Sequence, residues 1–455
     1  VHFRNKHRNE AGGILQLRAA DSRAADMTLM MVERPAVDKV VEEQVIENPA
    51  TDKQARDGRA TDSRVLERQP DALRISGRAA NIAPFIAMDV MAIAKQRETA
   101  GENIVHMEVG EPGAPPPRLV REAAMAALGG GPIGYTESSG RPSLRARIAR
   151  HYRDAYGVGI DADRIVVTTG SSGGFLVAFL ALFDVGARVA IANPGYPAYR
   201  NIFDAFGIEP VLLDTNAAGR FAVTAAMIEE AHRHKKLDGV LLMSPANPSG
   251  TMFQPDALRD ICGTCARLSI PFISDEIYHG LTYAGPAQTA LRYSDAAIVV
   301  NSFSKYYCMT GWRVGWLVLP RHLVRPVERL QQSMAVAAPT LSQIGAEAAF
   351  DALDALEAVK AGYARSRAIL FEELPRIGLA NFHPADGAFY LYVDVSRYTN
   401  DSTDFCKRML GEAGVAATPG LDFDRDGGNR TVRFSFSGSE ATIVEGVKRL
   451  GTWLR

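Results

Sequence analysis

The densest concentration of reactive groups in this sequence is Asn301-Ser302-Phe303-Ser304-Lys305-Tyr306-Tyr307-Cys308-Met309-Thr310-Gly311-Trp312-Arg313. It follows an apolar run over 296–300. Such a run reads as a buried strand, and open α/β sheets bind ligands just beyond strand ends. The hydroxyls of Ser302 and Ser304, with the Arg313 guanidinium, supply donors of the kind that hold a phosphate. Lys305, beside such a site in apolar surroundings, can lose its proton and act as an amine nucleophile. A surface loop with ordinary charges is the plainer alternative for this stretch taken alone.

Four other runs end in a similar way. Ile273-Ser274-Asp275-Glu276-Ile277-Tyr278 puts a carboxylate just past an apolar strand. Ser244-Pro245-Ala246-Asn247-Pro248-Ser249-Gly250 does so with an amide, and Asn193-Pro194-Gly195-Tyr196-Pro197 with an aromatic ring. Val167-Thr168-Thr169-Gly170-Ser171-Ser172-Gly173 closes a strand and opens a helix, where free N–H groups and the helix dipole favour an anion. Together the five strand ends call for a flat, aromatic, phosphorylated ligand with a ring nitrogen and a carbonyl. Pyridoxal phosphate has each of those parts.

Here the chain resembles the class I and II aminotransferases, the fold type I pyridoxal phosphate enzymes. The resemblance runs from about residue 78 to 455. It rests most on 302–313, with support from Asn247-Pro248-Ser249-Gly250 and Asp275-Glu276-Ile277-Tyr278. It implies that Lys305 carries the cofactor as a Schiff base and later moves the substrate's α-proton. Asp275 would pair with the pyridinium nitrogen, and Asn247 and Tyr278 would bond the phenolic oxygen. Tyr196 would stack on the ring. Ser171 and Ser172, at the Gly170 turn, would hold the phosphate with Ser302, Ser304 and Arg313. Tyr135, in Tyr135-Thr136-Glu137-Ser138-Ser139-Gly140, would reach the phosphate of a neighbouring subunit and so imply a homodimer with shared sites. Arg433, in Thr431-Val432-Arg433-Phe434-Ser435-Phe436, would fork onto the substrate α-carboxylate, bordered by Gly110 and Asn247. Ordinary roles stand beside these: a helix-capping carboxylate for Asp275, packing tyrosines at 135 and 196, a salt bridge for Arg433.

Positioning these groups requires particular elements. Short β-rich runs at 165–169, 188–192, 239–243, 271–274, 296–301 and 314–319, several of them continuously apolar, predict strands buried on both faces. Helix patterns fit 86–100, 118–128, 142–156, 173–183, 198–206, 224–236 and 254–268. The alternation predicts an α/β fold, a mainly parallel sheet sandwiched by helices, over 121–331 as the large cofactor-binding domain. A long helical stretch at 340–375, strands at 388–394 and 431–436, and helices at 402–413 and 439–454 predict a smaller α+β domain. It is formed by 76–120 with 332–455. Residues 1–75 have one aromatic, Phe3, and interleaved charges. They read either as a disordered extension with a short helix near 36–47 or as an upstream extension from a start codon assigned too early.

Composition narrows the function classes. The 455 residues carry 51 Lys+Arg against 52 Asp+Glu, so no basic field exists to hold nucleic acid or an anionic membrane. The longest apolar run, Phe175 to Phe183, is too short to span a bilayer, and no secretory signal is visible. Four cysteines are too few for a disulfide scaffold, and Cys262-Gly263-Thr264-Cys265 lacks the second pair that structural zinc needs, so no metal is expected. His279 reads as a packed or solvated histidine. The expectation is a cytoplasmic aminotransferase that moves an amino group from an L-amino acid to a 2-oxo acid by ping-pong turnover. A carbon–sulfur lyase of the same fold is the alternative. A non-catalytic, cofactor-sensing regulator is the remote one, since residues 1–75 offer no helix-turn-helix pattern. The entrance segment Asn81-Ile82-Ala83-Pro84-Phe85-Ile86 is apolar and favours alanine, branched or aromatic donors over aspartate.

Overall fold

The computed structural model describes residues 75–455. The expectations for 1–74 lie outside the described residues. The chain opens with helices α1 (Gly77–Asn81) and α2 (Ile86–Thr99), short strand β1 (Val105–His106), and helices α3 (Arg118–Gly129) and α4 (Pro142–Tyr156). Strands and helices then alternate: β2 (Ile165–Thr168), α5 (Gly170–Leu182), β3 (Arg188–Asn193), α6 (Pro197–Phe206), β4 (Glu209–Asp214), α7 (Ala225–His234), β5 (Gly239–Met243) and α8 (Pro255–Arg267). β6 (Phe272–Asp275), β7 (Ile298–Ser302) and β8 (Gly315–Val318) follow without long helices between them. The remainder comprises α9 (Arg321–Ala335), α10 (Thr340–Ala349), α11 (Leu353–Arg376), β9 (Tyr390–Asp394), α12 (Ser402–Arg408), β10 (Val415–Ala416), β11 (Thr418–Pro419), β12 (Thr431–Ser435) and α13 (Glu440–Trp453).

The main sheet has seven strands in the order β2-β8-β7-β6-β5-β3-β4. Every pairing is parallel except the two made by β8. The continuous apolar runs are explained by burial on both faces. In β5, Val240 and Leu242 join one hydrophobic cluster with α4, α7 and α8, while Leu241 joins the other with α5, α6 and α9. Trp316 and Leu317 divide in the same way on β8. Smaller sheets pair β11-β12-β9 antiparallel and β1-β10 parallel. Among the described residues no helix is long and apolar enough to cross a membrane.

Local chemistry sets the helix ends. α4, α6 and α8 start with proline at their first position, where no N–H is needed. α4 and α6 stop at Gly157 and Gly207 in the left-handed conformation. Three of the longer stretches depart from the sequence-based expectation. Strand β4 was not expected: it is a half-exposed edge strand carrying Pro210 and flanked by Glu209 and Asp214, so it lacks a buried strand's signature. Helix α9 was not expected because Pro326 interrupts its pattern. The stretch 340–375 is two helices, parted at 350–352, where Phe350 turns into the core. No glycine or proline marks that break.

Candidate active site

Strands β2, β3, β5, β6 and β7 run in one direction, so their carboxyl ends share an edge of the sheet. The predicted cluster is assembled there. Asp275 ends β6, in register with Met243 at the end of β5. Ser302 ends β7 and pairs with Gly315, the residue that also pairs with Thr168 of β2. Gly170 and Ser171 open α5, and Tyr196 precedes α6.

Asp275 is 1% exposed. Its carboxylate accepts hydrogen bonds from the Tyr199 hydroxyl and from the Ile277 amide at 3.0 Å. Burial pushes it up to about 7, against those two bonds and the attraction of Lys305. Lys305 Nζ donates to the Gly110 carbonyl at 2.6 Å. Burial brings this amine down to about 8; Glu111 opposes the shift, while Arg433 and Arg313 add to it. A lysine so held is partly neutral near physiological pH, as a nucleophile or proton carrier must be.

The hydroxyls and guanidinium expected to hold an anion lie near one another. Ser302 Oγ lies 2.9 Å from Ser304 Oγ, and Arg313 Nη1 lies 3.5 Å from Ser304 Oγ. Arg313 Nη1 also donates to the Thr310 carbonyl at 2.9 Å. Gly170 has φ +66°, and a Cβ there would meet Arg313 Nη2 at 2.5 Å, so only glycine lets the turn close against the guanidinium. Ser171 is buried beside this turn, while Ser172 is exposed.

Arg433 is 2% exposed, on β12. Its Nη1 donates to Asn247 Oδ1 at 2.9 Å, and its Nη2 to Thr418 Oγ1 at 3.2 Å and to the Glu108 carbonyl. Its guanidinium lies over the rings of Tyr390 at 4.3 Å and Phe423 at 4.8 Å. None of its partners is an acid. Among the described residues Lys305, Arg313 and Arg433 form no ion pair. Such a buried guanidinium is costly unless it meets an anion. Here the site fits two of them, a phosphate at Arg313 and a carboxylate at Arg433. The buried acid, the amine and the partly buried Tyr196 ring complete the donor set that a phosphorylated pyridine aldehyde requires.

Of the remaining expected residues, Tyr135 stands outside the cluster and Tyr278 is engaged within it. Tyr135 is 87% exposed and lines a surface cleft with Ile133, Thr136, Arg141 and Thr340. Its side chain makes no hydrogen bond to the cluster. Tyr278 is buried, but its hydroxyl lies 2.7 Å from the Tyr390 hydroxyl. Tyr390 was not anticipated, although it stacks on Arg433. A Cβ at Gly110 would meet its hydroxyl at 1.9 Å, so Gly110 is required by this contact. Tyr199, which holds Asp275, was also missed. The available signal was its place in the first turn of the helix that Tyr196 precedes; the two rings pack edge-on at 5.3 Å.

Comparison with known proteins agrees with this geometry. Residues 102–450 match the family model described as aminotransferase class I and II. A valine–pyruvate aminotransferase of Mycobacterium tuberculosis is 46% identical over 82% of this chain and 97% of its own length. A (5-formylfuran-3-yl)methyl phosphate transaminase of Methanocaldococcus jannaschii is 33% identical, over 84% and 99%. Among solved structures, aspartate aminotransferase of Thermus thermophilus superposes with a TM-score of 0.79 at 28% identity, covering 83% of this chain and 99% of that one. The fold, the arrangement of the strand-end residues and these likenesses agree: the chain belongs to the aminotransferase class I and II family and is an aminotransferase.

Proposed function

We propose that this enzyme uses pyridoxal phosphate to move the amino group of a small apolar L-amino acid, valine foremost, to a 2-oxo acid such as pyruvate. The observation that carries the reading is the pairing of Arg433 with apolar surroundings. Its fork supplies one carboxylate site, and rings from Tyr390 and Phe423 flank it. The buried Arg200 is already committed, donating to the main-chain carbonyls of Phe423 at 2.8 Å and Asp422 at 2.7 Å. A dicarboxylic donor would bring a second carboxylate into this setting without a free buried cation. The valine–pyruvate aminotransferase relative supports the same donor class.

In this reading the cofactor, when bound, supplies the electron sink that makes the donor's α-proton acidic. Ser171, Ser172, Ser302, Ser304 and Arg313 hold its phosphate, with Gly170 giving the cradle room. Tyr196 packs on its ring, Asp275 faces its ring nitrogen, and Asn247 and Tyr278 face its phenolic oxygen. Arg433, with Asn247 and Gly110 alongside, orients the donor carboxylate. Lys305 Nζ would take the proton from the donor α-carbon and hold it for return during the transfer. Tyr135, projecting into solvent, reads as a residue that completes a partner subunit's phosphate site in a homodimer. Residues 76–120 with 332–455 read as a smaller domain that closes on 121–331. The four free, buried cysteines suit a reducing compartment, and we assign the enzyme to the cytoplasm.

A donor panel with pyruvate as acceptor tests the substrate class. Valine and alanine are expected to exceed aspartate and glutamate in kcat/KM by about a hundredfold, the scale of one unpaired buried charge. Aspartate as the best donor would overturn the reading.

A further inference from the structure

Helix α2 begins without a cap of its own. Its N-cap residue is Phe85, whose side chain cannot accept a hydrogen bond from the first free amides. The acceptor arrives from the far end of the sequence. Asp422 Oδ1 accepts from the Ile86 amide at 3.0 Å, and Oδ2 from the Ala87 amide at 3.3 Å. The carboxylate is 3% exposed, and a negative charge there also meets the positive end of the helix dipole.

Asp422 is itself tied to the turn that carries Tyr196. Besides the two bonds from Arg200 to its segment, the Gly195 amide donates to the Phe423 carbonyl at 3.1 Å. Asn201 Nδ2 donates to the Ala83 carbonyl at 3.2 Å. Three segments distant in sequence, 83–87, 193–201 and 420–424, are thus fastened together. Two rings project from this knot toward the site. Phe85 packs edge-on against Tyr196 at 5.8 Å, and Phe423 lies against the Arg433 guanidinium.

We propose that Asp422 is a positioning residue for donor choice: by capping α2 it holds Phe85 against Tyr196 as one wall of the compartment that receives the donor's side chain. This rests on the reading that Tyr196 and Arg433 flank the bound donor. Asp422 touches neither substrate nor cofactor in this assignment. Its effect therefore grows with donor side-chain size and spares the carboxylate clamp and the proton transfer.

The test uses the holoenzyme and three variants, Asp422→Asn, Phe85→Ala and the double substitution. An asparagine offers one carbonyl oxygen to two amides, so one amide loses its acceptor. The KM for valine is expected to rise about tenfold in Asp422→Asn, the scale of a lost cap, with kcat within about threefold and alanine little affected. Phe85→Ala should reproduce this, and the double variant should be no worse than either single one. Amide exchange at Ile86 and Ala87 should be slow in the wild type and faster in Asp422→Asn. Equal KM increases for valine and alanine, additive effects of the two substitutions, or a fall in kcat at unchanged KM would each overturn the proposal. If Asp422→Asn fails to fold, rapid exchange at Ile86 and Ala87 in the wild type overturns it, and so does a Phe85→Ala enzyme with unaltered donor preference. Should the wild type use neither valine nor alanine, the donor class is wrong, while amide exchange still decides whether the cap exists.

Discussion

Replacing Arg433 probes the carboxylate clamp. A guanidinium has five N–H donors. The structure engages three of them, on Asn247 Oδ1, Thr418 Oγ1 and the Glu108 carbonyl. Two remain, one on Nη1 and one on Nε, and Nε is buried without a partner, so a bidentate carboxylate would displace one of the present acceptors. Hydrogen bonds to charged groups contribute roughly 1.5–3 kcal/mol each, and removing one partner of a buried charge pair costs about 3–5 kcal/mol. Arg433→Ala should therefore lower kcat/KM by about 10²–10³-fold. Arg433→Lys keeps the charge but loses the planar fork, and a loss of roughly 10–100-fold is expected. The loss should be the same for valine and alanine, because both present the same α-carboxylate. The assay is steady-state kcat/KM for each donor, alongside the visible absorbance of bound cofactor, which should persist. An Arg433→Lys enzyme within threefold of wild type, or one that loses one donor selectively, would refute the clamp.

Three further outcomes follow from buried groups in the site. Asp275 is raised from 3.8 to about 7 in the cofactor-free protein, so between those pH values the folded state holds a proton that the unfolded state has released. Its stability contribution is then full below about pH 4 and lost as pH rises toward 7, so Asp275→Asn should gain on wild type by roughly 4 kcal/mol between pH 4 and 8. Urea melts of both cofactor-free proteins at the two pH values check this, and a pH-independent difference contradicts it. Lys305, lowered to about 8, should be acylated half-maximally near pH 8 in cofactor-free enzyme, as read by peptide mass spectrometry. Half-maximal acylation near pH 10, the range of an unperturbed amine, would remove the basis for its proton-carrying role. Gly110→Ala should raise KM tenfold or more by displacing Tyr390, and Tyr390→Phe should restore part of the loss, because the nearest ring atom then lies 3.0 Å from the new Cβ. Absence of any rescue would show that the contact is not what requires glycine.

What the sequence reveals here follows from where each residue's constraint lies. Lys305, Asp275, Asn247 and Arg313 stand at or beside the ends of strands buried on both faces, and apolar runs announce such strands. The cluster was therefore legible before any contact was known. Tyr390 and Tyr199 were not, because each is defined by a partner far away in sequence: Arg433 and Tyr278 for one, Asp275 for the other. Asp422 is the extreme case, since it caps a helix 336 residues upstream. Edge strand β4 and helix α9 were hidden by Pro210 and Pro326, residues that usually end such elements and are tolerated here at a sheet edge and in a mostly surface-exposed helix.

The central claim, that the amino group passes from one small apolar amino acid to a 2-oxo acid, is tested most directly by following nitrogen. Holoenzyme supplied with ¹⁵N-valine and pyruvate should place the label in alanine, one per molecule of the 2-oxo acid formed from valine. No labelled ammonium should appear. Sustained release of labelled ammonium, or valine left unchanged while another donor is consumed, would contradict the account.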